Sequence, residues 1–141
     1  MSDDVQQKLE AAIARLPYAR FLGVRGELKG DELTLILPFT AQLVGNPILP
    51  ALHGGVVGAL MELTALVQLA VTGQSKRYAK TIDINVDYLR SGKPVDTFAR
   101  ARLIRVGRRI ANVSAEAWQS ERAQPIAAMR GHFLMPDDDG S

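Results

Sequence analysis

A chain of 141 residues, 47% hydrophobic and 23% charged, has the length and composition of one folded globular domain and is far from the signature of disorder. The formal net charge is +2 and cysteine is absent, which excludes disulfides, thiolate metal sites and a cysteine nucleophile. Two histidines, His53 and His132, are too few for a multi-histidine metal centre, so no metal is expected.

The first ten residues carry Asp3, Asp4, Lys8 and Glu10 and no apolar run, which reads as neither a secretory signal nor a transit peptide, so a cytoplasmic protein is expected. Asp3 or Asp4 can cap a helix running to about Arg15, with Val5, Leu9, Ala12, Ile13 and Leu16 at helical spacing and Pro17 ending it. Residues 24–28 and 32–37 form a predicted hairpin around Lys29-Gly30-Asp31. Pro38, Gly45, Pro47 and Pro50 then break residues 38–53 into an irregular loop.

From Gly54 to Thr72 the chain is apolar almost all round, interrupted by Glu62 and Gln68. This predicts a buried central helix, not a membrane span. Four strands follow at 79–89, 95–106, 109–120 and 125–135, separated by turn residues and read as an antiparallel meander. In the first of them Ile82, Ile84, Val86 and Tyr88 alternate with Asp83, Asn85 and Asp87, the pattern of a strand with one buried face. The expected architecture is α+β: a curved antiparallel sheet of five or six strands wrapped around the central helix, with a short helix at the start. One domain spans 1–136, and the polar segment 137–141 reads as a disordered acidic tail.

The chemistry concentrates in that helix. Glu62 is the sole ionisable residue between His53 and Lys76, and a carboxylate there needs a partner or a task, as structural acid or as catalyst. His53-Gly54-Gly55 precedes the helix, whose unpaired first-turn N–H groups can polarise a carbonyl oxygen. The glycines are equally compatible with close helix–sheet packing alone. Gly54 and Glu62 are eight residues apart, about 12 Å along a helix, whereas reacting groups must come within about 3–3.5 Å. One subunit therefore does not supply both groups to one substrate. A two-fold dimer with antiparallel helices does, twice over.

Asn46-Pro47, Leu52-His53-Gly54-Gly55-Val56-Val57, the acid nine residues after the histidine, the run Thr81 to Arg90 and the turn Gly107-Arg108-Arg109 together resemble the PaaI-type hotdog thioesterases over residues 20–135. The resemblance implies a hotdog fold, acyl-coenzyme A thioester substrates, no cofactor beyond the coenzyme A of the substrate, and a homodimer that pairs into a dimer of dimers. Glu62 matches the family's general base or nucleophile and Gly54 its carbonyl-polarising N–H. His53 and Asn46 match loop residues that organise the site, with Asn46 seven residues before the histidine where relatives place Asn or Gln six before. Gly55 joins the substrate-binding loop, and the family's hydroxyl after the acid is Thr64 or Thr81.

Arg90, Arg108 and Arg109 stand at strand ends in the arginine-rich last third, where they fit coenzyme A phosphates as well as they fit an ordinary solvated surface. Few aromatics interleave with these arginines, so nucleic acid is not the expected partner, and no membrane is expected. No G-x-S-x-G elbow is present, which disfavours a Ser-His-Asp hydrolase. Two other readings stay open: a non-catalytic acyl-CoA-binding hotdog protein, and a hydratase or dehydratase using His53 with Glu62.

Overall fold

The computed structural model describes residues 2–30, 32–48, 50–73 and 77–137. Helix α1 (Ser2–Ala14) buries Leu9, Ala12 and Ile13. Pro17 does more than end it. A proline lacks only an N–H that the first helical position leaves unpaired, so Pro17 opens a second short helix, α2 (Pro17–Leu22), which Gly23 closes at φ +73°. Strands β1 (Arg25–Lys29) and β2 (Glu32–Leu37) form the expected hairpin, with Gly30 at φ +61°. Asp31 of its turn lies outside the described residues.

The loop expected at 38–53 contains a 3-10 turn (Ala41–Leu43) and a small antiparallel ladder of β3 (Val44–Asn46) with β4 (Ala51–Leu52). Helix α3 (Gly54–Thr72) follows, and then β5 (Lys80–Tyr88), β6 (Thr97–Val106), β7 (Ile110–Trp118) and β8 (Ala127–Leu134). The tail beyond Asp137 lies outside the described residues.

All main-sheet pairings are antiparallel, in the order β1-β2-β6-β7-β8-β5. The meander expected of the last four strands therefore holds for β6, β7 and β8 alone. Between β2 and β5 the chain crosses the sheet as α3, so β5 is delivered to the far edge beside β8, and β6 returns to pair with β2.

The face under α3 is built of small residues in its middle. Ala99, Ala111, Ala115, Ala117 and Ala127 are buried there, with Leu33, Leu35, Leu37, Met129 and Phe133 around them. Small side chains let the helix settle close to the strands. Leu60, Met61 and Val67 of α3 are 0% exposed, and complete burial of such a side chain is worth about 1.5–3 kcal/mol. Leu60, Leu63 and Val67 are thus core. Alpha3 is long and apolar enough to cross a bilayer, yet its buried face lies on the sheet.

Candidate active site

The helix start is set by its cap. His53 has extended backbone, and its Nδ1 accepts the Gly55 N–H at 2.9 Å. Accepting at Nδ1 puts the proton of a neutral imidazole on Nε2. Gly55 is therefore engaged, and a Cβ there would stand 3.0 Å from the His53 ring. Val56 and Val57 both donate to the His53 carbonyl, whereas the Gly54 N–H has no hydrogen-bond partner among the described residues. Gly54 is thus the open donor at the positive end of α3.

Strand β4 leads directly into His53, whose N–H donates to the Leu43 carbonyl at 2.8 Å. Asn46 lies in β3, where its backbone pairs opposite Ala51.

Glu62 sits on the flank of α3, in a half-exposed stripe with Val56, Ala59 and Leu66. The sequence placed this carboxylate deep in an apolar segment. The helix instead turns it outward, towards β5, where Thr81 Oγ1 donates to Glu62 Oε2 at 2.6 Å. The other candidate hydroxyl, Thr64, is fully buried and donates to the Leu60 carbonyl of its own helix at 2.6 Å. Thr81 is the residue the structure brings to the acid.

A β-bulge makes that contact. The β5–β8 register shifts between Thr81 and Asp83, so Thr81 lies opposite buried Phe133 while Ile84, Val86 and Tyr88 lie opposite Gly131, Met129 and Ala127. The extra residue re-aims Thr81 to the helix side and leaves Ile82 51% exposed. Strict alternation, the basis of the sequence reading, would have put Ile82 there instead.

Tyr88, at the end of β5, makes a contact with the helix start that the sequence did not reveal. Its hydroxyl donates to the Gly54 carbonyl at 2.8 Å, and a Cβ on Gly54 would approach its ring at 3.2 Å. Beside it lies a cleft of about 380 Å³ lined by Leu52, Gly54, Val57, Leu89, Arg90 and Ile126, among others. Arg90 anchors to the Pro125 carbonyl at the rim of this cleft. A tyrosine closing a strand beside a glycine-rich helix start is a weak signal without the fold.

Arg108 and Arg109 form the exposed turn between β6 and β7, where the Arg109 carbonyl accepts the Met135 N–H. Arg108 borders a cleft with Leu69, Ala70 and Gly73 at the other end of α3. Within one chain, Arg90 and Arg108 are thus separated by most of the helix, and neither meets Glu62. Other arginines of the last third are engaged on the outer sheet face. Arg100 contacts Glu32 at 2.6 Å and Arg122 contacts Glu32 at 3.3 Å, both beside the Trp118 ring.

A carboxylate held by a hydroxyl and an open N–H at a helix start are the two halves of an acyl-transfer site. Residues 49–126, more than half of the chain and including both halves, match the family model described as "Thioesterase superfamily". The chain belongs to the thioesterase superfamily.

This thioesterase is 29% identical over 139 residues to the medium/long-chain acyl-CoA thioesterase YigI of Escherichia coli (strain K12), covering 89% of this chain and 90% of that one. A solved structure from Chromobacterium violaceum is 33% identical with a TM-score of 0.75, covering 97% of each chain. A phenylacetic acid degradation-related protein from Ralstonia eutropha JMP134 shares the fold at 22% identity, with a TM-score of 0.76 over 91% of this chain and 99% of that one. The hotdog architecture and the thioester hydrolase class that the resemblance implied are borne out. Within one chain His53 caps the helix through Gly55 and Glu62 is held by Thr81, so the histidine and acid that the dehydratase reading pairs do not meet there.

Proposed function

We propose that two copies of this chain hydrolyse acyl-CoA thioesters at sites shared across their interface, with Gly54 of one copy and Glu62 of the other acting on one substrate. The observation that carries this reading is the part-buried Glu62–Thr81 contact on the flank of α3, next to an edge strand. Strand β5 offers unpaired backbone along its outer side, and Ile82, Tyr88 and Leu89 are 51, 56 and 53% exposed there. An exposed apolar edge favours association. A second copy with its helix antiparallel closes the separation of about 12 Å between the two groups.

The same arrangement brings Arg108 and Arg109 of one copy to the end of the helix pair where the other copy presents Arg90. Guanidinium groups there suit the pyrophosphate and 3′-phosphate of coenzyme A. The scissile carbonyl accepts the Gly54 N–H. Glu62 either takes a proton from water as it attacks, or attacks the carbonyl itself to form an anhydride that water then hydrolyses, and in both routes the C–S bond breaks and coenzyme A leaves as its thiolate. His53 and Asn46 shape the loop that presents Gly54, and the chemistry requires no group beyond the substrate.

The test is hydrolysis of a panel of acyl-CoA esters of graded chain length, followed by thiol release, for wild type and Glu62→Gln. Wild type should cleave part of the panel, and the variant should lose about 100-fold or more in kcat. A variant that keeps its rate removes Glu62 from the mechanism. Binding of the esters without cleavage by either protein would make this a binding module.

A further inference from the structure

The start of α3 contains Gly54, Gly55 and Gly58, and glycine is among the poorest residues for holding a helix turn in place. A carbonyl-polarising donor works by being fixed before the reaction. Its rigidity at Gly54 must therefore come from outside the helix.

We propose that Tyr88 is a positioning residue that fixes the Gly54 backbone from its carbonyl side and so holds the Gly54 N–H in line for the thioester oxygen. The inference rests on the hydrolase reading above. Its hydroxyl donates to the Gly54 carbonyl at 2.8 Å. The ring lies where a Cβ on Gly54 would come within 3.2–3.3 Å of two ring carbons, and a Cβ on Gly58 would meet the hydroxyl at 3.4 Å. The two glycines thus leave the space that the phenol fills.

Tyr88 is itself anchored. The N–H groups of Leu89 and Arg90 both donate to the Ile126 carbonyl, at 2.8 and 3.1 Å, just past the end of β5. The Leu52 N–H, immediately before His53, donates to the Gly92 carbonyl at 2.9 Å. The segment 88–92 therefore grips the helix start from both sides, and Tyr88 is its contact on the reacting residue.

Tyr88→Phe tests this, because it keeps the ring and deletes the one hydrogen bond. On a cleaved acyl-CoA ester, kcat should fall about tenfold while KM changes less than about twofold, with the unfolding midpoint near that of wild type. In a Glu62→Gln background, the carbonyl stretch of a bound ester should move to higher frequency when Tyr88→Phe is added, reporting weaker polarisation. Wild-type kcat in Tyr88→Phe, or a loss of kcat that only tracks a lowered unfolding midpoint, overturns the inference while the hydrolase reading stands. A wild type that cleaves no ester overturns both.

Discussion

Thr81 and His53 show how single side chains prepare the site. A hydroxyl donating to a carboxylate is worth about 1.5–3 kcal/mol. Here it holds one oxygen of Glu62 and leaves the other for chemistry. Thr81→Val should therefore lower kcat by about one to two orders of magnitude, and Thr81→Ser should restore most of it. Steady-state kinetics on the two variants decide this, and a Thr81→Val enzyme at wild-type rate would mean the contact is idle.

His53 acts on the helix instead. Replacing it by Ala removes the acceptor for Gly55, which should cost about 1 kcal/mol in denaturant unfolding, with His53→Asn recovering it as a capable cap. Glu62 was legible in the sequence because a lone acid in an apolar helix demands an explanation. Which hydroxyl served it was not, since the choice between Thr64 and Thr81 turns on a bulge that alternation cannot reveal.

Among the elements, the central helix was the most legible, since a nearly all-apolar run of nineteen residues that opens on two glycines leaves little else to be. The short helix after Pro17 was missed because proline reads as a stop and only context makes it a start. The six strands of the main sheet were equally readable, whereas their order and the short β3–β4 ladder were not. Pairing is a non-local property, and nothing in β5 itself says that its partner is β8, forty-odd residues onward.

That pairing depends on Gly131, where a Cβ would stand 2.9 Å from Ile84, 3.0 Å from the Asp83 carbonyl oxygen and 3.0 Å from Phe133. One of these neighbours is backbone and cannot swing aside. Gly131→Ala should destabilise the protein by about 1–3 kcal/mol, and because it disturbs the bulge strand it should lower kcat as well. Unfolding curves indistinguishable from wild type would show that the sheet gives way more easily than its geometry implies.

For the whole molecule, the proposed mechanism divides the work between Gly54 of one copy and Glu62 of another. Gly54 and Glu62 lie about two turns apart on one rigid helix, and no loop motion within the chain can shorten that distance. The sequence already carried this argument, because helix rise fixes the distance once the helix is assigned. It could not reveal that β5 is an edge strand with exposed apolar residues, the surface on which the proposed second copy would pack.

The most direct measurement is activity in mixed dimers of Glu62→Gln with Gly54→Pro. Proline suits a first helical position, and the extended His53 (φ −62°, ψ 130°) is compatible with a following proline, so the second variant removes the N–H without breaking the helix. A Cβ at Gly54 would stand 3.2 Å from the Tyr88 ring, so that ring must shift to admit the proline. Each variant alone should be nearly inactive. Co-expressed, they should regain about a quarter of wild-type activity, because half of the dimers are mixed and each of those contains one intact pair of groups. If the mixed dimers form and remain as inactive as either parent while wild type cleaves acyl-CoA, the site is not shared between chains.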